Sequence, residues 1–124
     1  MKKHLLLLII LSFIVSVSPN SSKATELPQD ILEEELIKLL RGPILSVVGT
    51  DWFRDNEKIL EIKQDKEDMD IFYVIVQVVT FQGPHNPPYM QEIITFRIKS
   101  NKVKPIDYFN RVIPESEWHK FQLQ

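Results

Sequence analysis

From Leu27 onward, hydrophobic residues recur every three to four positions, which is the spacing of one helical face. The pattern consists of Leu27, Ile31, Leu32, Leu36, Leu39 and Leu40. Pro28 suits a first helical turn, because its missing N–H has no intrahelical partner to lose. The pattern predicts an amphipathic helix over residues 28–41. Gly42 and Pro43 should end or sharply bend it. The apolar stretch that follows predicts a helical continuation over residues 43–49, as a short second helix.

The pattern then changes to alternation and to β-branched runs, which indicate strands. Residues 58–63 alternate, and residues 71–81 are β-branched or aromatic almost throughout, as in a central strand that is apolar on both faces. Alternation resumes over residues 89–99. A last strand is predicted over residues 103–109, and its Pro105 is typical of a sheet edge.

This order of elements predicts an α+β domain. A helix comes first, and three or four antiparallel strands joined by hairpins follow, so that the helix lies across one face of a curved sheet. A short closing helix after Pro114 would place Trp118 and Phe121 on the core. Cystatin-like and NTF2-like folds share this plan, although such an architecture assigns no function by itself.

The N-terminal residues form a separate pattern, in which a basic start precedes the continuous apolar run Leu5–Val17. A run of this length fits a signal peptide and is short for a membrane span. Small residues occupy the two positions that a signal peptidase reads before a cut between Ala24 and Thr25. We expect residues 1–24 to be cleaved, leaving one domain over residues 25–124 in the extracellular or cell-envelope space. An uncleaved N-terminal anchor is the alternative.

Export would make the protein more acidic. Lys2, Lys3 and Lys23 would leave with the leader, so that the 15 basic residues fall to 12, all 17 acidic residues remain, and the formal net charge changes from −2 to −5. Such a domain has no electrostatic reason to bind nucleic acid or anionic lipid. We therefore expect neither a nucleic-acid partner nor stable membrane insertion after cleavage.

The residue types present exclude several kinds of chemistry. The chain has no cysteine, which rules out thiol catalysis and cysteine zinc sites and makes the domain disulfide-free. An exported protein without disulfides would be unsurprising if the source were a Gram-positive bacterium. The acidic residues 33–35 lie 100° apart around a helix and cannot converge on one ion. The acidic turn 64–70 lacks the glycine and the final glutamate of a calcium loop. No metal or cofactor is expected.

The segment between the second and third long strands is the most distinctive part of the chain. It is far longer than the two-residue turn that a hairpin needs, and its prolines fix φ and remove backbone donors. A stiff loop of this kind suits the presentation of a binding tip. The candidate binding residues are Gly83, Pro84, His85, Asn86, Pro87, Pro88 and Tyr89. A purely structural connection is the alternative.

His85 is also the centre of an enzymatic alternative. As a general base or a metal ligand it would need an orienting carboxylate, and Glu92 and Asp107 are the candidates. Only one other histidine, His119, remains after the leader, and the chain has neither a Gly-x-Ser-x-Gly nor a His-Glu-x-x-His motif. No catalytic residue is assigned.

The string Thr80–Tyr89, followed by Glu92–Phe96, resembles the hallmark of domain-of-unknown-function family 3888, small exported proteins from Bacillus-type bacteria. The resemblance runs over most of residues 25–124, and Gly83–Tyr89 is its most specific part. It implies a location and a fold but no reaction, since the family has no assigned activity. Members often carry Tyr-Tyr-Gly where this chain has Val47-Val48-Gly49. Any role that those tyrosines have in the family therefore cannot be assigned to this chain.

Three functions follow as hypotheses. The first is a non-catalytic module that binds a protein, a peptide or a cell-wall component through residues 82–89. The second is a small hydrolase or metal-assisted enzyme centred on His85. The third is a peptidase inhibitor, suggested by the cystatin-like order of elements. Cystatins insert a Gln-x-Val-x-Gly hairpin, whereas the corresponding segment here, Gln77–Phe81, lacks the glycine and lies within a predicted strand.

Overall fold

A computed structural model describes residues 26–84 and 86–123. These residues form one α-helix, a four-stranded antiparallel sheet and a closing 3-10 helix. The elements are α1 (Gln29–Val48), β1 (Phe53–Gln64), β2 (Ile71–Phe81), β3 (Tyr89–Lys99), β4 (Lys102–Val112) and the 3-10 helix (Glu115–Phe121). The predicted leader and its cleavage site between Ala24 and Thr25 lie outside the described residues. Within the described part of the chain, neither helix has the length and apolar character needed to cross a membrane.

The helix α1 continues through Pro43 to Val48. The predicted helical continuation after Pro43 is therefore confirmed, and the prediction that it forms a separate short second helix is wrong. Proline removes one helical hydrogen bond. Packing nevertheless holds the helix on both sides of it, because Leu40 before the proline and Ile44 after it are both fully buried against the sheet. The helix ends at Gly49, whose φ of +86° is in the left-handed region that favours glycine.

The four strands form an antiparallel meander in the order β1-β2-β3-β4, which confirms the α+β class. β2 and β3 pair without a bulge from Ile71 opposite Lys99 to Phe81 opposite Tyr89, and both strands have the predicted bounds. β1 begins five residues before the predicted 58, and β4 ends three residues after the predicted 109. The predicted elements are therefore correct in kind and order, and the two edge strands are longer than expected.

The sheet carries a hydrophobic cluster on each face. α1 covers one face, where the buried residues are Leu40, Ile44, Ile59, Val74, Val76, Val78, Ile94 and Phe96. The 3-10 helix covers part of the opposite face, where Trp118 and Phe121 pack on a second cluster as predicted. The buried members of that cluster are Val79, Phe81, Tyr89 and Ile113. Both clusters include residues of β2, which explains why that strand is apolar almost throughout.

Candidate functional site

Residues 82–89, which we call the proline loop, join β2 to β3 at one end of the sheet. Phe81 at its start is 3% exposed and Tyr89 at its end is 1% exposed. Their ring centroids lie 5.9 Å apart in an edge-to-face arrangement. Tyr89 also meets Trp118 edge-to-face at 5.2 Å, and Phe81 stacks on Phe53 at 5.9 Å. A row of four aromatic rings therefore fixes both ends of the loop.

Between these ends, the described loop residues point to solvent. Pro84, Asn86, Pro87 and Pro88 are exposed, and the peptide bond between the last two is cis. Gly83 has a φ of +102°, a conformation that side chains rarely adopt. A Cβ at this glycine would lie 3.6 Å from the Asn86 side-chain nitrogen, in ordinary contact, so the backbone conformation is what requires glycine there.

Two of the candidate binding residues stand apart from the others. Tyr89 is the first residue of β3, and its side chain belongs to the buried aromatic row, so it anchors the loop and offers no surface to a partner. His85 lies outside the described residues. The exposed described residues of the proline loop are consequently Gln82, Pro84, Asn86 and the Pro87-Pro88 pair.

Glu92 is a buried carboxylate, only 5% exposed, on the sheet face that α1 covers. The Thr80 hydroxyl donates a 2.9 Å hydrogen bond to one of its oxygens, and the Tyr108 hydroxyl donates a 2.5 Å bond to the other. Burial, followed by the bond to this carboxylate, raises the pKa of Tyr108 to about 12. Both carboxylate oxygens are thus engaged by neighbouring strands, and Glu92 ties β2, β3 and β4 together.

Asp107 lies on the other side of the sheet from Glu92. It pairs with Thr95 in β3, and residues an odd number of positions apart in a strand point to opposite faces. Its carboxylate is exposed and accepts the Tyr108 backbone N–H at 2.9 Å. The two carboxylates proposed to orient His85 are therefore not brought together.

No group of three or more potential metal ligands of the His, Cys, Asp or Glu type occurs within residues 26–84 and 86–123. The Gln77–Phe81 segment, compared above with the cystatin hairpin, lies inside β2 between β1 and β3. Val78 and Val79 within it are fully buried on opposite faces of the sheet. Only Gln77 of this segment is partly exposed, so the segment does not project from the sheet as a hairpin that could enter a protease cleft.

The comparison with known families covers the sheet together with the whole proline loop. A family model described as a protein of unknown function, DUF3888, matches residues 29–111. The chain belongs to the DUF3888 family. The match includes α1 and almost all of β4 but not the 3-10 helix. No curated protein and no solved structure matches the chain, so the likeness to cystatin-like and NTF2-like folds stays a prediction.

Sequence reasoning missed a chain of polar contacts that fastens the 3-10 helix to the sheet. Gln91 donates to Gln77 at 2.8 Å and accepts from the Arg111 Nε at 2.6 Å. Arg111 also donates to Glu117 at 2.6 Å, and this ion pair raises the pKa of Arg111 and lowers that of Glu117. The sequence does contain one signal of these contacts. Gln91 and Glu92 are adjacent polar residues that interrupt the alternating pattern of β3.

Proposed function

We propose that the protein is an exported, non-catalytic module that binds a protein, a peptide or a cell-wall component through the proline loop. The observation that carries this proposal is the contrast between the ends of the loop and its tip. Phe81 and Tyr89 are buried in the aromatic row, whereas Pro84, Asn86 and the Pro87-Pro88 pair are exposed. Export is part of the proposal because of the leader pattern in residues 1–24.

The stiffness of the loop supports a binding role. Three of its residues are prolines with fixed φ, and its ends are fixed by packing, so a partner would order few bonds on binding. The proline rings offer apolar contact, and the Asn86 amide can donate and accept hydrogen bonds. A stiff tip of mixed apolar and polar character suits recognition of an extended chain or a wall polymer.

The hydrolase hypothesis has less support from the described residues. A general base at His85 would need a carboxylate to orient it. Glu92 already accepts bonds from Thr80 and Tyr108, and Asp107 lies on the opposite face of the sheet. No specific observation favours a catalytic role over binding, so we put forward the binding module alone.

Site-directed photo-crosslinking tests the proposal. A photoreactive amino acid replaces Asn86 at the loop tip, and secreted protein is irradiated with intact cells and cell walls of the organism that encodes it. We expect one discrete crosslinked species, because the tip contacts a specific partner. Excess unlabelled wild-type protein should compete it away.

The matched control places the same amino acid at Lys66. This residue is also exposed, in the β1–β2 turn at the opposite end of the sheet from the proline loop. A species captured equally from both positions, or none from Asn86, would contradict the proposal.

A further inference from the structure

A cleft lies at the same end of the sheet as the proline loop, where Phe53 at the start of β1 pairs with Phe81 at the end of β2. The cleft has a volume of about 500 Å³. It opens between the C-terminal half of α1, the α1–β1 connection and the first residues of β1. Its lining includes Arg41, Leu45, Thr50, Trp52, Arg54 and Glu57. Two arginines thus face one glutamate around this cleft.

Arg54 is the central group of the cleft. It pairs with Thr80 on β2, and its side chain is only 24% exposed. Its Nε is buried and has no hydrogen-bond acceptor among the described residues. The Glu57 carboxylate lies 3.7 Å away, an ion-pair distance that is too long for a hydrogen bond. A buried N–H without an acceptor is rare. The Arg54 guanidinium therefore has at least one N–H donor that no described residue satisfies.

The surrounding charges favour an anion. Arg41 is exposed, and within the described part of the chain it has neither an ion pair nor a side-chain hydrogen bond. With Arg54 it outweighs the one carboxylate, Glu57, although the chain as a whole has a net charge of −2. The planar guanidinium fork matches the two oxygens of a carboxylate or a phosphate. Thr50 and Trp52 add a hydroxyl and an aromatic ring to the same lining.

We propose that this cleft binds an oxyanion, either a carboxylate or a phosphate, carried by a ligand whose body lies against Trp52. Arg54 provides the main contact, and Arg41 provides a second positive charge. Glu57 orients Arg54 and competes with the ligand for it. The site is distinct from the proline loop, and the proposal does not depend on the function proposed above.

Nuclear magnetic resonance of the ¹⁵N-labelled protein tests this inference directly. The chain has two tryptophans, so its spectrum contains two indole N–H signals, which Trp52→Phe and Trp118→Phe assign. Trp52 lines the cleft, and Trp118 packs on the opposite face of the sheet as an internal reference. The probes are glucuronate, glucose 6-phosphate and glucose, which share a sugar ring and differ in charge.

We expect either charged sugar to shift the Trp52 signal. The dissociation constant should be about 1 mM or weaker, because the ligand makes one main charge-assisted contact. Glucose should shift neither signal. A response to glucuronate alone identifies a carboxylate site, a response to glucose 6-phosphate alone identifies a phosphate site, and a response to both identifies a general oxyanion site. No response of Trp52 to either anion overturns the proposal.

Three substitutions separate recognition from general electrostatics. Arg54→Gln should weaken binding at least about tenfold by removing the charged donor. Glu57→Gln should tighten it about threefold, because it removes the competing carboxylate and keeps the side-chain shape. Arg97→Gln changes the net charge as Arg54→Gln does, but on β3 outside the cleft, and should leave affinity unchanged.

A loss at Arg97 equal to that at Arg54, or weaker binding after Glu57→Gln, overturns the proposal. Thermal denaturation of each variant identifies any that fails to fold. Because Glu57→Gln is expected to increase affinity, its effect cannot be mistaken for partial unfolding.

Discussion

Glu92 shows at the scale of single residues how this small core accommodates a charge. A carboxylate that is 5% exposed would be costly without hydrogen-bond donors. The hydroxyls of Thr80 and Tyr108 supply one donor for each oxygen. We infer that this trio stabilises the pairing of the three strands and has a structural role.

Removing the phenol of Tyr108 tests that inference. Tyr108→Phe leaves one oxygen of a buried carboxylate without its protein donor. Because Tyr108 is 44% exposed, water can partly replace that donor, so the free energy of unfolding at pH 7 should fall by about 1 kcal/mol, measured by urea denaturation. Tyr73→Phe is the matched control, since the Tyr73 hydroxyl donates a 3.2 Å hydrogen bond to the carboxylate of Asp65 in the β1–β2 turn. We expect a smaller loss there, because the accepting carboxylate of Asp65 is less buried than that of Glu92. Equal losses would contradict a special role for the bond to the buried Glu92 carboxylate.

The same variant should change the alkaline behaviour. The pKa of Tyr108 is about 12 in the folded protein and about 10 in an unfolded chain. The unfolded state therefore releases this proton first. The stabilisation is fully present below pH 10 and is lost as the pH rises through about 12. Between pH 10 and pH 12 the free energy of unfolding should fall more for the wild type than for Tyr108→Phe. Parallel plots of that free energy against pH would contradict the raised pKa of Tyr108.

Side-chain direction was the hardest property to predict at this scale. Tyr89 follows two prolines and begins an alternating strand, and nothing in that pattern shows that its ring packs against Trp118, 29 positions further along the chain. Glu92 and Asp107 were both plausible partners for His85 until the strand register assigned them to opposite faces. Register depends on pairing between strands, which a local pattern does not contain.

At the scale of elements, the helix illustrates how packing overrides a local signal. Gly42 and Pro43 both disfavour a helix interior, yet α1 spans them because Leu40 and Ile44 are buried against the sheet. The prediction for β1 began five residues late, because residues 54–57 are all polar and lack alternation. Asn56 in that segment has a positive φ of 51° at a register shift, and its side chain donates to the Phe121 carbonyl. Contacts with distant residues define both elements.

A pair of glycine substitutions tests the continuity of α1. Gly42 is exposed, and a Cβ there would have no atom within 4 Å, so Gly42→Ala should stabilise the protein by about 0.5–1 kcal/mol. Gly49 ends the helix at a φ of +86°, so Gly49→Ala should destabilise it by about 1 kcal/mol. Thermal denaturation measures both. A destabilising Gly42→Ala would instead support the two separate helices that the local pattern predicts.

At the scale of the whole molecule, the fold class was predictable because the elements are long and their connections short. A helix followed by hairpin-linked strands leaves few arrangements that bury one face of each. The proline loop was equally visible, since its composition departs from that of a turn. The arginine cleft was not visible, because Arg41, Trp52 and Arg54 come together only when α1 packs on β1.

The loop and the cleft lie at the same end of the molecule, next to the Phe53–Phe81 pair. The opposite end carries the β1–β2 and β3–β4 turns. In the β1–β2 turn the Asp65 carboxylate accepts the backbone N–H groups of Glu67 and Asp68, which lower its pKa. Lys66 in the same turn is exposed, so exposure alone does not distinguish the two ends. The two sites proposed above, the proline loop and the cleft, both lie at the loop end, and we infer that recognition is concentrated there.

Replacement of the proline loop is the most direct test of this account. Residues 82–88 give way to Asn-Gly, which joins Phe81 to Tyr89 through a two-residue hairpin turn and preserves their pairing. Affinity is then measured for the species captured from Asn86, with the melting temperature in parallel. We predict at least a tenfold loss of affinity and a melting temperature within about 4 °C of the wild type, a change of roughly 1 kcal/mol or less. Unchanged affinity together with a large fall in melting temperature would show that the loop is only a structural connection.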